Sequence, residues 1–310
     1  MKVFLTGGAG YIGSVTAELL LDGGHEVTVF DNLERGHKEA VDDRAHFVMG
    51  DLRHDASVKK AMADFRPDAV MHFAAYALVG ESMTSPELYF GNNVTGGLNL
   101  ARAMIETGVE RIIFSSTCAT YGNPERIPIT EDLLQRPTNP YGESKLMLET
   151  ALDWYRQLSG IKPVFLRYFN ACGATSKFGE DHDPETHLIP IVLGAAQGKR
   201  NAVTIFGEDY DTPDGTCVRD YIHIVDLAEA HILALTSNIS GAFNLGNGNG
   251  YSVKEVISAA EKVAGKHIPV NTGARRPGDP PRLIASADKA FSELGWRPRY
   301  PELEQMVESA

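Results

Sequence analysis

The sequence predicts an α/β protein: a doubly wound parallel sheet followed by a smaller mixed α/β domain. Three observations carry this reading. From Lys2 to Tyr168, short β-rich runs alternate with helical patterns. Parallel neighbours need a crossover, usually a helix, so this alternation implies a sheet covered on both faces. A glycine-rich turn joins the first strand run to the first helical pattern. After Tyr168 the periodicity gives way to polar, turn-rich loops between short elements, as expected of a region built for binding. At 310 residues the chain has room for two domains. The expected division is residues 1–170 and 171–310, with the segment around 220–246 packing back onto the first.

Lys2–Thr6 is the first strand. Ile12–Asp22 is helical, with Ile12, Val15, Leu19 and Leu20 on one face. Glu26–Phe30 and Ala45–Met49 are the second and third strands. Ser57–Phe65, entered after Asp55, is a short helix, and Ala69–Phe73 is the fourth strand. Pro86–Thr107 is a long helical stretch, Arg111–Ser115 the fifth strand, Pro140–Ser159 a helix and Pro163–Tyr168 the sixth strand. Beyond these, Ile189–Gln197, Val225–Leu235 and Val253–Val263 stand between loops at 170–190, 208–215 and 275–282. The chain stops within a helical pattern at Leu303–Val307, as a chain cut short would.

Lys and Arg number 29 against 41 Asp and Glu, a formal charge of −12. So acidic a surface argues against nucleic acid and anionic membranes, both polyanions. Small anions remain possible ligands, because a few arginines can line one pocket. The three cysteines, Cys118, Cys172 and Cys217, are scattered and odd in number. That predicts neither a disulfide framework nor a zinc site, and a reducing, cytoplasmic setting. Only four residues separate Met1 from the first threonine–glycine step, too few for a signal-peptide core, and no apolar run approaches a membrane span. His182 and His187 stand in an acidic loop, but its irregular spacing predicts no metal.

Gly7-Gly8-Ala9-Gly10-Tyr11-Ile12-Gly13 follows the first strand and opens the first helix. Gly8, Gly10 and Gly13 fit G-x-G-x-x-G, the Rossmann-type dinucleotide signature. Glycines allow the tight turn and the close approach of a pyrophosphate, which the helix start then meets with free N–H groups. Asp31 ends the second strand, at the distance beyond Gly13 where this signature carries its acid. Its carboxylate suits ribose hydroxyls and repels a 2′-phosphate, so NAD is favoured over NADP. Asp51 ends the third strand, where it can meet an adenine amino group.

Tyr141 and Lys145 form Y-x-x-x-K, which puts both on one face of a helix. An ammonium beside a phenol lowers the phenol pKa, making Tyr141 a base near neutral pH. Thr117 lies at the carboxyl end of the fifth strand, the edge where open α/β sheets bind ligands. Its hydroxyl can hold an alcohol or ketone oxygen towards Tyr141.

The order of glycine loop, strand-end hydroxyl and Y-x-x-x-K resembles the extended short-chain dehydrogenase/reductase family. Within it the sequence is similar to the UDP-glucose (UDP-galactose) 4-epimerases. Asp31-Asn32-Leu33, Gly50-Asp51-Leu52, His72-Phe73-Ala74-Ala75, Asn92-Asn93-Val94 and Arg167-Tyr168-Phe169-Asn170 carry the resemblance. Asp214-Gly215-Thr216, Arg219-Asp220-Tyr221-Ile222-His223 and Ala274–Asp279 are the more specific segments. The resemblance implies a tightly held NAD⁺, reduced and reoxidised in each turnover. Tyr141 would take the proton of the sugar 4-hydroxyl while hydride leaves C4, and hydride would return to the other face of a transient 4-keto sugar. Lys145 would hold the nicotinamide ribose.

The resemblance further implies that Gly7, Gly10, Tyr11, Ile12, Gly13, Asp31, Asn32, Asp51, Leu52, Phe73, Ala74, Ala75, Asn92, Ser115 and Tyr168 line the cofactor. On the UDP-sugar, Arg219 and Arg276 would grip the diphosphate as forked donors. Asp279 would hold the uridine ribose, and Asn170 a phosphate or sugar oxygen. Leu188 and Phe206 would pack uracil. His187 would also meet the substrate, at a uridine-contacting position where some members carry an asparagine. The helical stretches Pro86–Thr107 and Pro140–Ser159 imply a homodimer joined by a four-helix interface.

Two enzymatic alternatives differ at single positions. A 4,6-dehydratase needs Asp-Glu directly after the threonine, and Thr117 is followed by Cys118 and Ala119. A 4-epimerase of UDP-N-acetylhexosamines or UDP-hexuronates would differ beside the sugar's substituents; the resemblance places Leu283, of intermediate bulk, near the 2-substituent. A non-catalytic NAD-binding sensor would lack the tyrosine or lysine of the pair, and both are present.

Overall fold

A computed structural model describes residues 1–276 and 279–310. Its centre is a seven-stranded, all-parallel sheet. In chain order the strands are β1 (Lys2–Thr6), β2 (Glu26–Asp31), β3 (His46–Met49), β4 (Ala69–His72), β5 (Arg111–Thr117) and β6 (Lys162–Tyr168). The strand Gly241–Leu245 completes it, giving the spatial order Gly241–Leu245, β6, β5, β4, β1, β2, β3. The chain therefore reverses direction across the sheet between β1 and β4, and the carboxyl ends there open a crevice suited to a ligand.

Period-two alternation explains how the sheet is covered. Val3, Leu5, Val29, Met71, Ile113 and Leu166 face one core, formed with helices Tyr11–Asp22 and Ile224–Thr236. Phe4, Phe30, Val70, Ile112, Phe114 and Phe165 face the other, formed with helices Asp55–Phe65, Gly96–Thr107 and Pro140–Ser159. Strands buried on both faces read as near-continuous apolar runs, as these do. A third core lies under helices Leu188–Ala196, Val253–Ala264 and Leu303–Ser309, where Ile189, Val192, Val256, Ile268 and Met306 meet. Small two- and three-stranded sheets border it. Among the described residues, no helix is long and apolar enough to cross a membrane.

The expected stretch Pro86–Thr107 is not one α-helix. It comprises Pro86–Tyr89, a π-helical segment Phe90–Thr95, and Gly96–Thr107. The wide turn seats the buried Asn93, whose amide donates to the Tyr76 carbonyl and the Ser144 hydroxyl, both at 3.0 Å. Single π turns inside helices often mark functional sites. The loop expected at 170–190 contains a short strand, Asn170–Cys172, paired with Tyr221–His223.

Candidate active site

Steric demands separate the glycines of the first turn. Gly7 adopts φ +75°, and a Cβ there would come 2.4 Å from the Ala74 nitrogen. A Cβ on Gly13 would come 2.2 Å from the Gly7 oxygen. The fold itself thus requires both. Gly10 is different: a Cβ there would meet nothing nearer than 3.5 Å. Its bareness serves a visitor rather than the packing. Gly10 is also the N-cap of the first helix, and no side chain caps that end. The first-turn N–H groups of Tyr11, Ile12 and Gly13 have no partners inside the helix, so an anion can take them. The Tyr11 hydroxyl points elsewhere, donating to the Gly173 carbonyl. Phe73 and Ala74 hang from the Thr6 carbonyl by N–H bonds of 2.9 and 3.1 Å, which brings 73–75 beside the loop.

Gly10→Ala and Gly13→Ala should therefore part company. Gly13→Ala drives a methyl into backbone that cannot retreat, and is expected to cost at least about 1–3 kcal/mol of stability. Gly10→Ala is expected to change stability by less than about 1 kcal/mol while lowering the NAD recovered per chain. Thermal melting and cofactor content measured side by side check both.

At the ends of β2 and β3 the acids are organised. Asp31 accepts from the Ala9 N–H at 3.0 Å and the Leu33 N–H at 2.9 Å. Burial raises its pKa. Asp51 accepts from Arg53, whose guanidinium draws its pKa down to about 2, and from the Asn32 amide at 3.1 Å. Leu52 is buried in the core shared with Phe4 and Phe30. Arg35, whose nearness to Asp31 in sequence would suggest a 2′-phosphate partner, is paired with Glu81 at 2.6 Å.

The second cluster forms at the carboxyl end of β5. Asn139 caps the helix Pro140–Ser159 through the Gly142 N–H at 2.8 Å. A Cβ on Gly142 would come 2.5 Å from the Ala119 oxygen, so the glycine lets this helix lie against the turn after Thr117. Tyr141 is thereby brought beside the Thr117 hydroxyl, near enough for that hydroxyl to favour its phenolate. One turn on, the buried Lys145 donates its Nζ to the Ser115 carbonyl at 2.8 Å. The Ser115 hydroxyl bonds the Tyr168 hydroxyl. Asn92, in the π turn, donates to Asn93 at 3.0 Å.

The electrostatics differ from the expectation that Lys145 draws the Tyr141 phenol down. Burial pushes Tyr141 up to about 12, only partly offset by Thr117. Burial likewise pushes Lys145 down to about 7, against the opposing pull of Glu149. Both groups pay for leaving water, and this outweighs their influence on each other.

Glu149, one turn beyond Lys145, is a site residue that sequence reasoning missed. It is buried, accepts from the Ser116 hydroxyl and pairs with Arg167 Nη2 at 2.6 Å. Arg167 also donates to the Tyr121 hydroxyl at 2.9 Å and to Gln135 at 3.0 Å. The i, i+4 spacing from Lys145 was the available signal.

On the far side, Arg219 pairs with Asp279. Its strand runs beside Arg282–Leu283, with Leu283 opposite Arg219. The adjoining Asp220 is fully buried and accepts three backbone N–H groups, from Asn247, Gly248 and Ala285. It fixes Arg219 from behind and was likewise missed. The Arg276 guanidinium lies 4.2 Å over the Phe206 ring. Pro277 and Gly278 of the same motif lie outside the described residues. Asn170 lies opposite the buried Tyr221 in the paired short strands, and Leu188 is the first residue of its helix. His187, the residue before Leu188, is bonded to two carboxylates. Its Nδ1 is 2.7 Å from Glu180 and 2.9 Å from Glu185. Burial disfavours its charge, but these acids outweigh that and lift it to about 10. The expected metal-free loop in fact gathers Glu180, His182, Glu185 and His187.

Residues 3–246 match the model of the NAD dependent epimerase/dehydratase family. The chain belongs to this family. Among its NAD-dependent epimerase/dehydratase relatives, the UDP-glucose 4-epimerase of Halalkalibacterium halodurans is 52% identical over 316 residues, covering 100% of this chain and 94% of its own. The UDP-glucose 4-epimerase of Brucella ovis, solved with NAD, is 46% identical with a TM-score of 0.96, covering 100% of this chain and 97% of that one. The enzyme of Bifidobacterium longum, solved with NAD⁺ and UDP, is 40% identical with a TM-score of 0.95, covering 100% and 96%.

Proposed function

We propose that the protein is a UDP-glucose 4-epimerase, interconverting UDP-galactose and UDP-glucose through a transient 4-keto sugar with an internally recycled NAD. The observation that carries this is that Tyr141 lies by Thr117 and Lys145 by Ser115 at the carboxyl end of β5, in the same sheet whose first strand leads into an uncapped glycine-loop helix. It occurs in a chain about half identical, over its whole length, to UDP-glucose 4-epimerases.

The residues present fit NAD. Gly10 leaves room for a pyrophosphate at the bare helix start, with Gly7, Tyr11, Ile12 and Gly13 around it. Asp31 and Asn32 would take the adenosine ribose, and Asp51 and Leu52 the adenine. Phe73, Ala74, Ala75, Asn92, Ser115 and Tyr168 would line the remainder. The bound cofactor supplies a reversible hydride acceptor and a positive charge near the phenol. Tyr141 Oη would take the proton of the 4-hydroxyl, and Thr117 would hold that oxygen. Lys145 would bond the nicotinamide ribose. After the sugar turns, Tyr141 would return the same proton. Arg219, Arg276, Asn170 and Asp279 would keep the nucleotide diphosphate fixed meanwhile, with Leu188 and Phe206 on the base. The commitment of His187 to two carboxylates speaks against a part for it there.

In this reading the segment 1–170 serves the cofactor and 171–310 chiefly the sugar nucleotide. NAD should appear on denaturing protein purified without it, and UDP-galactose should convert with no added cofactor. A requirement for a second redox substrate would sink the proposal. Turnover of UDP-N-acetylglucosamine equal to that of UDP-galactose would replace it with the broader specificity.

A homodimer and a cytoplasmic setting complete the proposal. Met147, Trp154 and Leu158 recur on one face of the helix Pro140–Ser159, and Trp154 and Leu158 are 58% and 77% exposed. Sedimentation should give twice the chain mass, and Trp154→Glu should reduce it to one chain. All three cysteines are buried and free.

A further inference from the structure

The loop between Cys172 and the helix Leu188–Ala196 brings four metal-ligand side chains to one point. Glu180, His182, Glu185 and His187 each offer an atom, and all four atoms lie within 4.8 Å of one another. Glu180 Oε1 is 3.1 Å from His182 Nδ1 and 2.7 Å from His187 Nδ1, while Glu185 Oε1 is 2.9 Å from His187 Nδ1. The two imidazole rings lie 5.1 Å apart, tilted by 49°. Both carboxylates are largely buried, at 7% and 15% side-chain exposure. Among the described residues no lysine or arginine pairs with either. Two converging carboxylates out of water need a positive charge between them.

We propose that this cluster is a structural zinc site, with Glu180, His182, Glu185 and His187 as its four ligands. The donor set, two imidazoles and two carboxylates, suits zinc, and its two negative charges balance the ion. A tetrahedron with metal–ligand bonds of about 2.0–2.1 Å separates its ligand atoms by about 3.3 Å. The three short contacts, at 2.7–3.1 Å, need to open by a few tenths of an ångström, and the remaining separations, all within 4.8 Å, need to close toward the same value. Four closed protein ligands leave no position for substrate, so the ion's role is to fasten the loop. That loop already leans on the glycine turn. Gly173 takes the Tyr11 hydroxyl, the His182 ring stands edge-on to Tyr11 at 6.4 Å, and the Asp181 carbonyl is 2.9 Å from His37 Nε2. The rival occupant is a proton on His187, which would satisfy the acids without metal.

The test is zinc content after incubating the purified protein with Zn²⁺ and removing free ion by gel filtration. One zinc per chain is expected in the wild type. Glu180→Gln and His182→Asn should each weaken binding by more than the roughly 10- to 100-fold typical of losing an outer-shell partner. His37→Asn, outside the cluster, should keep the ion. Loading with Co²⁺ gives a readout on the unaltered protein: intense visible bands denote four-coordination, weak ones octahedral. No retained zinc, unchanged zinc in the cluster variants, or a weak octahedral cobalt spectrum would each overturn the assignment.

Discussion

Replacing Tyr141 with Phe is expected to lower kcat by about 10²- to 10⁴-fold, the usual contribution of a positioned acid or base. NAD content should stay at the wild-type level, because the change removes one hydroxyl from a ring packed edge-on against Tyr89. The pH behaviour adds a sharper arm. Burial holds the phenol at about 12, too high for a base near neutrality. A nearby positive charge favours the phenolate and brings the pKa down. Phenolate absorbance should therefore emerge at lower pH in NAD-loaded than in NAD-stripped protein, and Tyr141→Phe should abolish the difference. Unchanged turnover in the variant would place the base elsewhere.

Breaking the Glu149–Arg167 pair is expected to be the most destabilising single change near the site. Both side chains are buried, at 4% and 7% exposure, and each leaves an unmatched charge if the other is lost. Arg167→Met or Glu149→Gln should cost about 3–5 kcal/mol. The double replacement Glu149→Leu with Arg167→Met should be more stable than either single one, because no lone charge remains. Denaturant midpoints decide this. Glu149→Gln also removes a negative charge that supports the Lys145 ammonium, whose pKa stands at about 7. The Lys145 pKa should fall further, so activity that needs the ammonium should fade at lower pH than in the wild type. A variant as stable as wild type with an unshifted alkaline limb would remove Glu149 from this role.

Much of this site is legible in the chain because local chemistry fixes it. The glycines announce their turn through conformations and approaches other residues cannot adopt, as at Gly7 and Gly13. Tyr141 and Lys145 are tied by one helical turn, and Asn139-Pro140 starts that helix where expected. What local pattern could not reveal depends on contacts far apart in sequence. The π turn at Phe90–Thr95 exists because Asn93 reaches Tyr76 and Ser144. Asp220 looks like a spacer beside Arg219, yet backbone from 247, 248 and 285 closes on it. Spacing misreads the sign of the Tyr141 shift, because it records proximity and not burial. The same limit hides the meeting of Glu180, His182, Glu185 and His187, which an irregular loop assembles without periodicity.

The outermost strand beside β6 comes from Gly241–Leu245, far along the chain from the end of β6 at Tyr168. During synthesis the cofactor-binding sheet therefore waits with an open edge of Val164, Phe165 and Leu166 until a late segment arrives. An apolar unpaired edge is a template for other chains. A fragment cut just after Asn170 should aggregate rather than behave as a free-standing module. Residues 1–170 alone therefore lack one edge of their own sheet, which Gly241–Leu245 must supply.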